Sequence, residues 1–309
     1  MHVPDGFINA PVSATAGLIS VGSLWVSTKA SNKFLGDKFI AIAGMMSALI
    51  FVLQMINFPI GAGTSGHLLG GALAVIILGP SLGIVCVSIV VIIQALIFAD
   101  GGLSALGINI LNISIVTGLI GWFIINTWKK IFGEKNFSLI LGSFVAGMLS
   151  VVMSSLAFVI EYALGGTVSV AIGSVFIAMV TSHFLIGIGE GLITAFILSL
   201  FLKVRSDLVF ISINKESREE SIPLTRLLLF LTLALVLLVP IASSSPDGLE
   251  TIAQDFNFVN QENISIFLDD YSIPSISTSF ISIILSAILG VSILVAFINL
   301  YLNLTRKKS

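Results

Sequence analysis

The sequence predicts an all-α polytopic membrane protein, a seven-helix bundle followed by a C-terminal two-helix module. Three observations carry that expectation. Hydrophobic residues make up 56% of the 309 and charged residues only 10%, with a mean hydropathy of +1.12; a water-soluble fold could not hold this composition without exposing large apolar patches. Apolar runs recur at lengths near the roughly 20 residues that span a bilayer. All 14 basic residues lie in or beside the segments that would face one side of the membrane.

In chain order, the runs predict helices at 11-28, 39-57, 67-79, 82-98, 104-128, 137-163 and 169-203, several of them bounded by Gly or Pro, and two more at 225-243 and 276-303. The third is short for a span. The seventh is long enough to contain a broken or re-entrant piece before His183. Residues 1-203 therefore form one membrane domain. The polar stretch SDLVFISINKESREESIP, ending in Pro223, makes 204-224 a linker, and 225-309 forms the module, two helices around an acidic loop at 243-274 without a hydrophobic core of its own. On the first helix, Ala10, Ser13, Ala14, Ala16, Gly17 and Ser20 include small-xxx-small pairs that permit close contact, within the bundle or with another membrane subunit.

The basic residues cluster as Lys29, Lys33 and Lys38; Lys129, Lys130 and Lys135; Lys203, Arg205, Lys215, Arg218 and Arg226; and Arg306, Lys307 and Lys308. Because cytoplasmic loops carry the excess of Lys and Arg, this pattern predicts a multi-pass protein of a prokaryotic plasma membrane with its amino terminus outside and its carboxyl terminus in the cytoplasm. The outer face then receives Asp5, Asp100, Asp247, Glu250, Asp255, Glu262, Asp269 and Asp270 and no basic residue. A one-signed face raises local cation concentration within a Debye length of about 8 Å, so cations are the expected cargo. The net charge of -2 gives no argument for a nucleic-acid partner. The single Cys86 excludes an internal disulfide. Residues 1-10 contain Pro4 and Asp5 and lack a basic stretch followed by an apolar one, so the start is expected to be mature sequence and not a secretory signal.

The polar residues suggest the chemistry. Met1 and His2 together offer the α-amine, the His2 amide and His2 Nδ1, nitrogens that close fused five- and six-membered chelate rings in one plane. Such a field suits Ni(II) or Cu(II) better than tetrahedral Zn(II). His67, in GAGTSGHLLGG, stands at a helix mouth as a candidate fourth donor. His183 and Glu190, seven residues apart in TSHFLIGIGEGLIT, share a helix face. Ionisable groups inside a membrane cost at least ~2.5 kcal/mol on insertion scales and so face a partner or a cavity. These two either brace the ligands or line an access route, or they clasp a neighbouring helix at Asn109 or Asn112. A metal-binding His normally donates its other ring N–H to a carboxylate, amide or carbonyl, and Asp5, Asn109, Asn112 and Glu190 are unranked candidates for that role.

The sequence contains no G-x-x-x-x-G-K-[ST], H-E-x-x-H or G-x-S-x-G motif, nor H-x-E with paired cysteines. The chain is therefore expected not to be an enzyme, and energy for active uptake would come from a partner. Two alternatives stay open: an intramembrane metalloenzyme using His67, His183 and Glu190, and an ATP-independent metal channel or carrier.

Four motifs in order, MHVPDGF (Met1 to Phe7), SGHLLGGALAVIILGP (Ser65 to Pro80), QALIFADGGLSALGINILN (Gln94 to Asn112) and SHFLIGIGEG (Ser182 to Gly191), resemble the CbiM/NikM substrate-capture components of energy-coupling factor transporters. The resemblance implies that the amino terminus tucks into the outer half of the bundle and that Met1, His2 and His67 bind the metal. It implies Ni(2+) or Co(2+) as transported substrate, a link to cobalamin biosynthesis through cobalt, and no organic cofactor. It also implies a membrane coupling (T) subunit and two cytoplasmic ATPase (A) subunits as partners. The stretch SSSPDGLE (Ser243 to Glu250) looks like the accessory component fused to NikMN-type members, which favours nickel. For Pro246 to Glu250 itself, a solvated turn is an equal expectation.

Overall fold

The computed structural model describes residues 2–32, 35–61, 64–212, 224–243, 245–255, 267–268, 271–273, 276 and 279–306. Helix α1 (Ala10–Ser31) begins where Asn9 Oδ1 accepts the Val12 amide at 3.1 Å and Pro11 presets the first turn. Next come α2 (Asp37–Met55) and an antiparallel hairpin of β1 (Phe58–Gly61) and β2 (Thr64–Gly66). The chain continues through α3 (Gly71–Leu78), α4 (Pro80–Phe98), α5 (Leu106–Phe132), α6 (Asn136–Gly165) and α7 (Ile172–Val204). It closes with α8 (Leu224–Val236), α9 (Gly248–Asp255) and α10 (Ser279–Thr305). Among the described residues, α1, α4, α5, α6, α7 and α10 are long and apolar enough to cross a membrane. Their outward side chains, such as Leu18, Val21, Trp25, Ile160, Leu164 and Phe196, are exposed apolar groups, as lipid contact requires.

Three features depart from the sequence expectation. The third apolar run does not span. α3 is eight residues, all buried, about 12 Å at 1.5 Å per residue against a core of about 30 Å, and Pro80, lacking an N–H, starts a separate helix. Its apolar character reflects burial inside the protein, where hydropathy alone looks the same as lipid exposure. The seventh run is not broken before His183, since α7 is one helix of 33 residues. In the 243-274 loop, α9 adds a third helix to the expected two. Residues 256–266 of that loop, and 213–223 of the linker, lie outside the described residues.

Packing around α3 positions the site. α3 lies against α4, α5 and α6, and α7 packs along α6. A π-helical stretch at Ile110–Val116 interrupts α5. The small residues of α1 split between two faces: Ala16 and Ser20 are buried, Ala10 and Ala14 exposed. Ser20 Oγ donates to the Gly107 carbonyl of α5 at 2.8 Å, so this part of the stripe serves internal packing. In the C-terminal region α8 and α10 both pack against α2. Asn32 Nδ2 donates to the Thr305 carbonyl at 2.8 Å, the Thr28 and Tyr301 hydroxyls are 2.9 Å apart, and Arg306 pairs with Asp37. At the opposite end of the bundle from residues 2–8, the start of the linker folds back, with the Phe210 amide on the Ile77 carbonyl at 3.0 Å and Lys129 Nζ on the Ile211 carbonyl at 3.0 Å.

Candidate functional site

Residues 2–8 do not fray. They thread into the bundle, held by specific hydrogen bonds and ring contacts. Val3 is fully buried and read as if by a neighbouring strand: its amide donates to Asn109 Oδ1 at 2.8 Å, while Asn109 Nδ2 and the Gly102 amide donate to its carbonyl at 3.1 and 2.9 Å. Asp5 Oδ1 accepts from the Ser104 amide at 2.7 Å and the Ser104 hydroxyl at 2.6 Å. Phe7 is wedged beside Phe158 and Tyr162, both with ring centroids 6.0 Å away. On the far side, the Asn9 amide donates to the Gly165 carbonyl at 2.7 Å, and the Thr167 amide to the Phe7 carbonyl at 3.1 Å. An uncapped terminus would lose this contest to chain entropy; here the α4–α5 loop and the α6–α7 turn hold it from two sides.

This threading brings His2 onto His67. The two rings stack with centroids 5.0 Å apart and an interplanar angle of 17°. His2 Nδ1 lies 3.0 Å from Asp100 Oδ1, and His67 Nδ1 lies 3.0 Å from the Leu68 carbonyl oxygen. A carbonyl and a carboxylate only accept, so in each neutral ring Nδ1 carries the proton and Nε2 the lone pair. This differs from the chelate read from the sequence, which used His2 Nδ1: that nitrogen has to leave Asp100 before it can bind anything else. Met1 lies outside the described residues. Burial, and after it neighbouring positive charge, pushes His67 down to about 3, so the ring stays neutral at ordinary pH. At Asp100 burial opposes ionisation, but its pairing with His2 and the hydrogen bond from the Tyr271 hydroxyl hold the carboxyl well below the usual range.

The other candidates divide. Glu190 is fully buried and uses both oxygens on the backbone, accepting from the Leu69 amide at 2.6 Å and the Gly70 amide at 2.9 Å. It clasps the loop that carries His67 and does not pair with Asn109 or Asn112. Asn109 and Asp5 position the amino-terminal segment. Asn112, one turn after Asn109, points elsewhere, donating to Glu161 Oε2 of α6 at 2.7 Å. His183 donates from Nδ1 to the Met179 carbonyl at 2.8 Å and lies under the 246–250 turn, where a β-carbon on Gly248 would come 3.8 Å from its Cε1. Among the described residues no group of three His, Cys, Asp or Glu side chains is arranged to hold a metal ion.

Sequence reading left three contributors unplaced. Asp100 was legible only as one of many outer acids. The turn at Pro246 to Glu250 is not solvated: the Ser65 amide and hydroxyl donate to the Pro246 and Ser245 carbonyls at 2.8 and 2.6 Å, two residues before His67, and Leu249 is buried. Its D-x-x-E spacing was a signal, since Asp247 Oδ1 accepts the Leu249 and Glu250 amides at 2.8 Å while Glu250 Oε2 accepts the Asp247 amide at 2.9 Å, a reciprocal helix cap. Tyr271, whose hydroxyl donates to Asp100 Oδ2 at 2.6 Å, had no signal at all.

In this helical membrane protein residues 2–8 plug one end of the bundle and stack the imidazole of His2 on that of His67, and comparison with known proteins places the fold among transition-metal transporters. Two crystal structures with that description align with it: a transition metal transporter at 29% identity and TM-score 0.61, over 66% of this chain and 93% of that one, and a truncated transition metal transporter at 28% and 0.59, over 66% and 99%. The chain belongs to the CbiM family, the cobalt uptake substrate-specific transmembrane region, which matches residues 2–208. Among its relatives are a Haloquadratum walsbyi protein assigned to metal transport (37% identical over 68% of this chain and 94% of the relative) and an Archaeoglobus fulgidus protein assigned as a fused nickel transport protein, NikMN (34%, 68% and 68%). The cobalt transport protein CbiM of Geobacter sulfurreducens is 27% identical over 68% of this chain and 61% of its own length. The protein is thus a multi-pass membrane component of cobalt or nickel transport of the CbiM/NikM type.

Proposed function

We propose that this chain is the substrate-binding membrane component of an ATP-driven energy-coupling factor importer, capturing Ni(II), with Co(II) as the alternative, at a site built from His2, His67 and the α-amine of Met1. The stack of His2 on His67, 65 positions later in the chain, is the observation that carries the reading. Two neutral imidazoles are nitrogen donors of borderline softness, which suit these ions. Two side chains do not fill a coordination sphere, so the reading takes its remaining donors from the Met1 amine and the His2 amide. A flexible amino terminus becomes a ligand only if the fold fixes it, and the contacts of Val3, Asp5 and Phe7 are of the kind that would.

The positive-inside pattern supports an amino terminus on the outer face and a cytoplasmic carboxyl terminus. Transport then requires a membrane coupling subunit and two ATPases, because the chain carries no nucleotide-binding loop motif. Residues 225-309 act as a fused accessory module of the NikN type, and its docking beside the His67 hairpin favours a role in loading the site.

The test is direct titration of the full-length protein, free at its amino terminus, with Ni(II) and Co(II). His67→Ala is expected to weaken binding by orders of magnitude with membrane insertion intact, since the residue sits in a loop and not in a helix interface. Unchanged affinity would remove His67 from the site. Metal uptake in vesicles that persists without the ATPase partners would replace the importer with a channel or carrier.

A further inference from the structure

We propose that Glu161 is a proton-binding site: it holds a proton on Oε1 and donates it to Asn112 Oδ1, closing an acid–amide clasp between α6 and α5 that sets the seat of residues 2–8 and opens when the proton is lost. The clasp does not depend on which donors bind the metal.

Both partners are buried, Glu161 at 8% exposure and Asn112 at 1%. Asn112 Nδ2 donates to Glu161 Oε2 at 2.7 Å. The other oxygen of each group, Glu161 Oε1 and Asn112 Oδ1, is buried without a hydrogen-bond partner. Two acceptors left over on the two groups that one bond already joins are short of a single proton. Among the described residues Asn112 alone bonds Glu161, which makes no ion pair, so a carboxylate here would be a buried charge with no cation, a state that proteins avoid by neutralising the group. A carboxylic acid donates one bond and accepts another, the complement of a primary amide, and one proton satisfies both oxygens. Two side-chain oxygens are too few to hold a metal ion in its place.

The titratable groups on the elements packed against α6, which are α1, α3, α5 and α7, are engaged elsewhere. His183 bonds the Met179 carbonyl and Glu190 the Leu69 and Gly70 amides. Lys29, Lys129, Lys130 and Lys203 stand in the last turns of their helices, at the opposite end from residues 2–8, and α3 carries no titratable group. On α6 itself the Tyr162 hydroxyl donates to the Val168 carbonyl at 2.6 Å. In the amino-terminal segment Asp5 bonds Ser104 and His2 faces Asp100. The clasp lies under that segment. Glu161 shares a face of α6 with Phe158 and Tyr162, the two rings beside Phe7, and Asn112 follows by three residues Asn109, which bonds both polar groups of Val3. Ser154 Oγ of α6 also donates to the Asn112 carbonyl at 2.9 Å, so α5 and α6 meet twice at this residue. Ionised, Glu161 would set an anion against the Asn112 carbonyl oxygen and part the two helices that grip the terminus.

Glu161→Gln keeps the shape and both bonds as an amide–amide pair, so it removes the proton site without removing the clasp. Infrared difference spectra of the metal-free, full-length protein at neutral pH should show the carbonyl band of one protonated carboxylic acid in the wild type that Glu161→Gln lacks; a carboxylate signal in its place overturns the proposal, and so does a thermal midpoint that follows sodium concentration at fixed ionic strength, which would put a cation where the proton is assigned. Hydrogen exchange over residues 3–9 reads the seat. Asn112→Ala should speed it about 10-fold, the equivalent of one lost hydrogen bond, while Glu161→Gln leaves it unchanged. As the pH rises far enough to remove the acid band, the wild type should lose protection there relative to Glu161→Gln at the same pH. Equal protection of the two beyond that point, or wild-type exchange in Asn112→Ala, overturns the claim that the clasp seats the terminus.

Discussion

Gly102→Ala isolates the docking of the amino-terminal segment from the stability of the helices beneath it. A β-carbon at position 102 would lie 2.7 Å from Asp5 Cα and 2.7 Å from Asp5 Oδ1, against the roughly 3.5–4.0 Å at which carbon atoms make favourable contact. The obstruction includes backbone, so no rotamer change relieves it, and residues 3–5 must shift by about 1 Å, the difference between those distances. That shift disrupts the Gly102 amide on the Val3 carbonyl (2.9 Å) and the Asp5 pairing with Ser104 (2.7 and 2.6 Å). Overpacking of this kind costs about 1–3 kcal/mol. The strain is released whenever the segment lifts off, so it falls on docking and not on the bundle. At 1.4 kcal/mol per factor of ten, Ni(II) affinity should drop about 5- to 150-fold. The assay is calorimetric titration of the purified full-length protein beside its thermal midpoint, with Gly22→Ala as control because nothing lies within 4 Å of a β-carbon there. Equal affinity in the two variants would refute the claim that close backbone approach at Gly102 is what seats the terminus.

Glu190→Gln leaves an amide NH₂ facing one of the two backbone amides that the carboxylate now satisfies. The lost charge-assisted bond is worth about 1.5–3 kcal/mol, so both the thermal midpoint and Ni(II) affinity should fall; no change in either would mean that the carboxylate is not what holds the His67 loop. The pH dependence has a defined sign. His67 titrates near 6.5 when unfolded and about 3 in the fold, so the unfolded chain takes up the proton first, and stability is lost as pH falls from about 6.5 towards 3. Thermal midpoints of the metal-free protein across that window should decline less steeply in His67→Gln; an identical slope would remove His67 as the cause.

The sequence by itself determined the membrane class, the order of the apolar helices and the two histidines that meet. Burial of apolar length and the identity of metal-donor atoms are local properties, written residue by residue. It also carried the Asp247-x-x-Glu250 cap, because capping acts over a single turn. Tertiary structure decided the rest. Whether an apolar run is buried in protein or bathed in lipid is invisible to hydropathy, so α3 looked like a span and is an internal half-helix. Glu190 binds backbone amides, which every residue possesses, so no partner side chain in the sequence could announce the pairing. Asn109 and Asn112 read alike on paper, one turn apart, but one faces Val3 and the other Glu161, since the wider turn of the π-helical stretch at Ile110–Val116 leaves a three-residue step well short of a full turn. His2 Nδ1 was read as a ligand from ring size alone, and only the fold shows Asp100 against it, in turn held by Tyr271 171 positions further on. Contacts at such separation depend on how helices pack, and that is settled by the sum of the core and by no local pattern.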